Sequence, residues 1–262
     1  MAAFSELAHF DLSLEAALGL AGDVTDSTRA KALAGLGQAL QNIPGRTAEV
    51  EPIVEEALAL YRSLGERSGV AGSLLVLGVS MGSGVVVDDP RQGAAFAEAL
   101  RIAEEAQDHA VAASAHHLLG YHVRETGRFE EARVHLEEAL CIARAMHNRY
   151  REAWAHAGLA ATARAQEKLG LALDHSGQAI AAFRELGDMG ALSGGLFGLI
   201  LSLMLQGDYA RALPIAEEML ELDHQYEVLG IGRAMIELGA VVRHLGDLDR
   251  ATTLLHEGLL GD

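Results

Sequence analysis

The chain has one cysteine, Cys141, in 262 residues. No internal disulfide can form, a reducing cytoplasm is the natural setting, and the thiol reads as inert core filling. Basic residues are also scarce: 20 Lys and Arg stand against 37 Asp and Glu, and the net charge of -17 is spread along the whole length. Such a surface repels phosphate backbones and anionic lipids, which argues against direct nucleic-acid binding by these residues. The start, Met1-Ala2-Ala3-Phe4-Ser5-Glu6, lacks a basic stretch followed by an apolar one, so no secretion signal is visible. No uninterrupted apolar run approaches the roughly 20 residues that cross a bilayer, since Gly, Gln and Asp punctuate the longest ones. A soluble, cytoplasmic protein without a membrane partner is expected. Strand signals are missing as well, because Val85-Val86-Val87 is short and isolated.

What the chain does have is a repeat. A Glu-Ala-Leu type triplet stands at Glu56-Ala57-Leu58, Glu98-Ala99-Leu100 and Glu138-Ala139-Leu140, then degrades to Gln178-Ala179-Ile180, Glu218-Met219-Leu220 and Glu257-Gly258-Leu259. The middle positions are separated by 42, 40, 40, 40 and 39 residues. A second marker keeps the same step: Leu36-Gly37, Leu77-Gly78, Leu119-Gly120 and Leu238-Gly239, with Leu159-Ala160 and Leu199-Ile200 where it drifts. A third is the turn Gly127-Arg128-Phe129, repeated as Gly207-Asp208-Tyr209 and Gly246-Asp247-Leu248. Between these marks the apolar residues fall at helical spacing, as in Phe129, Ala132, Leu136, Ala139 and Leu140. The Leu-Gly pair belongs in the first helix of each unit, where a missing side chain lets the neighbouring helix approach. The later Gly ends that helix in a left-handed conformation, and a second helix follows. Small Ala at 132, 172, 212 and 251 keeps each pair tight.

These markers resemble the tetratricopeptide pattern, in which Leu-Gly and two later Ala fall at fixed offsets. The resemblance covers nearly the whole chain, about six units, and implies an all-α fold: a right-handed superhelical α-α solenoid of helix pairs. It departs in period, about 40 residues against the usual 34 or so, which longer helices account for. Repeats of this length are similar to those in the C-terminal arms of bacterial maltose-activator-like regulators and signalling ATPases, a likeness of style without a diagnostic motif.

Read this way, the chain is a single solenoid. Residues 1–22, containing Glu15-Ala16-Ala17-Leu18, form the second helix of a partial repeat, and helix pairs occupy 27–65, 67–107, 109–147, 149–187, 189–223 and 225–260. The loosened junctions are Gly22 to Ser27, Asn42 to Arg46, and Met81 to Pro90, where Pro90 opens the next helix. The chain starts mid-repeat and stops at Gly261-Asp262 without a polar capping helix, so it reads as a piece of a longer array whose ends are open to self-association.

In the tetratricopeptide family the first helices line the concave surface, and the resemblance places His117, Tyr121 and Arg124 there, with Trp154 and Arg164, Phe197, and Arg233 and Arg243 from the following units. Guanidinium groups beside aromatics suit carboxylates, extended peptides or sugars. The competing reading is that Arg124, Arg164 and Arg243 are solvated helix ends complementing the helix dipole. The family's Lys and Asn carboxylate clamp is not reproduced.

Catalytic and metal chemistry finds little to work with. His116 and His156 are 40 apart, as are His135 and His175, so each pair is expected to stack on adjacent units at helix-packing distances of about 8–10 Å. Neither a His-Glu-x-x-His spacing nor a second Cys joins them, and no metal or cofactor is expected. Glu152 and His156, one turn apart, make a weak local pair. Gly35-Leu36-Gly37, Gly82-Ser83-Gly84 and Gly230-Ile231-Gly232 lack the strand and the Gly-Lys-Ser/Thr of a phosphate loop. The expected function is therefore not enzymatic. It is a protein-interaction scaffold for a protein or peptide ligand, the regulatory or sensor arm of a larger signalling or transcription-regulatory protein. The alternative is a sugar or metabolite effector held in the concave groove.

Overall fold

The computed structural model of the chain describes residues 25–41, 43, 45–82, 89–226 and 231–260. The half-repeat expected at 1–22, the Val85-Val86-Val87 run and the 83–88 part of the long turn lie outside them. Twelve α-helices and one short 3-10 turn, but no strand, are found among the described residues. The fold is all-α and built of consecutive helix pairs.

The chain divides into two compact units, Met1–Ile142 and Ala143–Asp262. The first contains helices α1 (Asp26–Leu40), α2 (Val50–Leu64), α3 (Arg67–Met81), α4 (Pro90–Glu105) and α5 (His109–Glu125), and most of α6 (Phe129–Ala145). The second contains α7 (Arg149–Ala165), α8 (Leu169–Leu186), α9 (Met189–Gln206), α10 (Tyr209–Tyr226), α11 (Ile231–His244) and α12 (Leu248–Leu260). The end of α10 at Tyr226 lies beyond residue 223, where the sequence markers closed that pair. Within each unit consecutive helices pack on one another, and the first helices of successive pairs also touch: α1 with α3 and α3 with α5, then α7 with α9 and α9 with α11.

The helix ends follow from side-chain and backbone chemistry. Asp108, Asn148 and Asp188 each accept a hydrogen bond from the backbone N–H three residues on, which satisfies a donor that the first turn of α5, α7 and α9 would leave open. Asp208 and Asp247 do the same ahead of Arg211 and Arg250. Pro90 opens α4 behind the cap Asp89. At the far end of α5, α9 and α11 the backbone turns left-handed at Gly127, Gly207 and Gly246, with φ of 78°, 78° and 93°. Glu167 holds the equivalent position after α7 at φ 57°, although it carries a side chain.

The cores lie between paired helices. In the first unit Leu36, Val54, Leu74, Phe96 and Leu119 are buried, and in the second Phe183, Leu196, Ile200, Met219 and Leu238. Ala132, Ala172, Ala212 and Ala251 are buried as the repeat markers require. The Leu-Gly glycines allow the close approach expected of them. A Cβ built on Gly120 would come within 2.6 Å of Leu136 Cγ, and one on Gly78 within 2.4 Å of the Phe96 ring.

Two expectations fail here. Cys141 is exposed, not core, because the helical phase of α6 turns Leu140 and Ala143 inward and leaves position 141 to solvent. The histidines pair in another register: His116 meets His135 and His156 meets His175, each across the two helices of one pair. Helix α9, Met189–Gln206, is the one helix among the described residues long and apolar enough to cross a membrane, with a mean hydropathy of 1.6. Here it packs against α7, α8, α10 and α11, so its apolarity has a use inside the unit.

Candidate functional site

The first helices α5, α7 and α9 each have one face turned into the core, and beside it runs a stripe of half-buried residues. On α5 that stripe is Ser114, His117, Tyr121 and Arg124, on α7 Trp154, Ala157, Ala161 and Arg164, and on α9 Phe197, Leu201 and Met204. Helical spacing of three and four residues keeps each set on one side. Of these, His117, Tyr121, Arg124, Trp154, Arg164 and Phe197 are the positions expected to meet a ligand, and each unit presents its own set.

In the first unit three of them come together. The His117 and Tyr121 rings lie 4.8 Å apart between centroids, and the Arg124 guanidinium sits over the Tyr121 ring at 4.4 Å. A cation over an aromatic face is held by the ring quadrupole, worth about 0.5–1 kcal/mol where solvent reaches it. Arg124 also pairs with the adjacent Glu125 at 2.5 Å. It is a placed guanidinium and not a freely solvated helix end.

In the second unit Arg164 reaches across from α7 and donates from Nη1 to the Gly198 carbonyl of α9 at 3.2 Å. Gly198 makes room for it, since a Cβ there would stand 3.4 Å from Nη1. Arg233 of α11 lies over the Phe197 ring at 5.3 Å. Phe197, Leu201 and Met204 therefore form an apolar strip on α9 flanked by two guanidinium groups. Trp154 is drawn elsewhere: it packs edge-on against Phe183, at 5.2 Å, and near Tyr150. Arg243 is exposed at the end of α11.

Sequence reasoning missed the acidic groups around Arg233. Asp223, only 2% exposed, sits on the inner face of α10 with one carboxylate oxygen lacking a hydrogen-bond partner. Burial raises its pKa, against the opposing pull of a hydrogen bond from Ser193 and of the His224 and Arg233 charges. Burial likewise raises that of Glu237, against Arg233. The signal was present, since Asp223 continues the apolar series Ala212, Ala216 and Met219 at helical spacing. A carboxylate in that series breaks the pattern. Among the described residues no group of three or more His, Cys, Asp or Glu is arranged to hold a metal ion.

Comparison with known proteins agrees with this architecture. Residues 111–185 match the family model of the tetratricopeptide repeat. No curated protein matches the sequence. Among solved structures, the tetratricopeptide-repeat sensor protein of the signal transduction ATPases with numerous domains from Pyrococcus horikoshii superposes with a TM-score of 0.70 at 15% identity, over 92% of this chain and 37% of that one. The chain thus spans little more than a third of that relative. The apo form of RapI gives a TM-score of 0.70 at 14% identity, covering 92% of this chain and 85% of that one. A Rap protein complexed with Competence and Sporulation Factor gives 0.66 at 15% identity, covering 97% and 72%. At such identities the likeness is one of fold.

Proposed function

We propose that this chain of tetratricopeptide-like helix pairs binds an extended peptide segment along the first-helix faces of its second unit and serves as the sensing arm of a larger regulatory protein. One observation carries the reading: the apolar strip Phe197, Leu201 and Met204 lies between Arg164, tied to the Gly198 carbonyl, and Arg233, stacked over Phe197. Fixed guanidinium groups beside an apolar strip suit a peptide with apolar anchors and carboxylates, and both the arginines and the aromatic residue are types that dominate interface energies. Their placement in a chain of net charge -17 adds contrast, because a carboxylate has few other favourable places to settle. The tetratricopeptide scaffold generally mediates protein interaction and is typically not enzymatic, and one structural relative is complexed with Competence and Sporulation Factor.

The test is selection from a random peptide library on the full chain, repeated with Arg233→Glu and Phe197→Ala. Enriched sequences should be acidic and apolar, and their affinity should fall at least about tenfold in either variant, the loss of roughly 1.4 kcal/mol of contact. Equal binding by the variants removes the site. A second reading, a small effector, draws on the His117, Tyr121 and Arg124 cluster, whose stacked ring and cation suit a flat or hydroxylated ligand. A metabolite panel scored by thermal shift separates the two, since a ligand at a hundred times its dissociation constant stabilises by about 2.7 kcal/mol.

A further inference from the structure

The structure brings histidines together in two places, and the two have the same geometry. His116 on α5 faces His135 on α6 with their Nδ1 atoms 3.0 Å apart, and His156 on α7 faces His175 on α8 with Nδ1 atoms 2.9 Å apart. The ring centroids are 5.2 and 5.1 Å apart. Two neutral imidazoles so placed share one hydrogen bond, one ring donating from Nδ1 and the other accepting. The same two nitrogens are also metal ligands in waiting. Imidazole binds a divalent ion at about 2.0–2.1 Å, so two such ligands stand about 2.9 Å apart at a right angle and about 3.3 Å apart at the tetrahedral angle. The observed separations, set by that hydrogen bond, lie near the right-angle value, the arrangement of tetragonal nickel(II) and copper(II).

The two pairs differ in their electrostatic surroundings. His116 has Glu104 and Glu138 near it, and His135 has Glu131 together with Arg128. His156 instead feels Arg144 and Arg149. Like charges oppose an incoming cation and carboxylates favour it. His116 and His135 are both half-buried, so water can complete the coordination. Burial also holds both rings below the usual histidine range, which leaves them neutral with lone pairs available near neutral pH.

We infer that His116 and His135 form a two-histidine site for a tetragonal late divalent ion, nickel(II) or copper(II), with water in the remaining positions. On binding, the aquo ion gives up two waters, the donating ring moves its proton to Nε2, and both Nδ1 lone pairs go to the metal, with no net proton release. With two protein ligands the site is weaker than a three- or four-ligand centre.

Calorimetry with Ni²⁺ alone on the full chain tests this. One equivalent should bind in the wild type, His135→Ala and His116→Gln should each weaken that event at least about tenfold, and His175→Ala should leave it unchanged. Circular dichroism confirms that the variants remain helical. Electron paramagnetic resonance of wild-type protein with one equivalent of Cu²⁺ should report two nitrogen ligands, a readout that needs no variant to fold. Absence of binding by the wild type, undiminished binding by folded His135→Ala, a loss in His175→Ala matching that in His135→Ala, or a copper spectrum without nitrogen coupling would each overturn the assignment.

Discussion

A single position in each first helix governs how closely its partner can approach. At Gly37, Gly78, Gly120 and Gly239 an added Cβ would run into Val54, Phe96, Leu136 and Leu255 respectively, at 2.3 to 2.9 Å. Where the repeat drifts to Ala160 and Ile200, the corresponding second-helix positions drift the opposite way, to Ser176 and Ala216, and all four residues are buried. Bulk lost on one helix is regained on the other. Ala216→Leu should therefore destabilise the chain by about 1–3 kcal/mol through overpacking against Ile200. Ile200→Ala in the same molecule should recover part of that loss, with a coupling of about 1–2 kcal/mol in urea unfolding. Simple additivity of the two substitutions would refute the pairing. The Leu-Gly marker was legible in the sequence because its physical cause is local and its step regular. The compensation at 160 and 200 becomes legible only once the facing positions are known, and Glu167 shows the same limit. Its left-handed backbone follows from the helix ends around it, although its side chain does not ask for that conformation.

At the scale of helices, the α7–α8 interface contains a strongly perturbed titratable group. His156, 4% exposed, has its pKa lowered to about 4, first by burial and then by the nearby His175, Arg144 and Arg149 charges. In the unfolded chain it titrates near 6.5. The folded state therefore binds fewer protons between these values, and stability falls as the pH drops from about 6.5 toward 4, by up to about 3 kcal/mol in all. Urea unfolding at pH 7 and at pH 4.5 should show this slope in the wild type and a clearly smaller one in His156→Gln; equal slopes would count against it. Helix existence and order could be read from apolar spacing and turn glycines. The register between paired helices could not, because it depends on crossing geometry. That is why His116 and His135, 19 residues apart, meet where the 40-residue step had drawn attention to His116 and His156.

For the molecule as a whole, net charge acts on every part at once. Exposed pairs such as Arg149–Glu185, Arg184–Glu218 and Arg250–Glu217 join neighbouring helices, yet exposed ion pairs contribute at most about 1 kcal/mol each. The unbalanced charge of -17 works against compaction everywhere at once. Raising sodium chloride from low to physiological strength should therefore raise the melting temperature, because screening relieves repulsion more than it weakens those pairs. A fall in melting temperature would show that the pairs matter more. The repeat offsets could nominate first-helix positions in the sequence, whereas the tie from Arg164 to Gly198, the diversion of Trp154 toward Phe183 and the exposure of Arg233 and Arg243 required the fold. The reciprocal bulk of facing helices also constrains inheritance. A duplication or recombination event that separates a first helix from its own second helix would join Ile200 to a leucine or leave Gly120 opposite an alanine, so such an array can lengthen, shorten or exchange parts only with its crossover points between complete pairs.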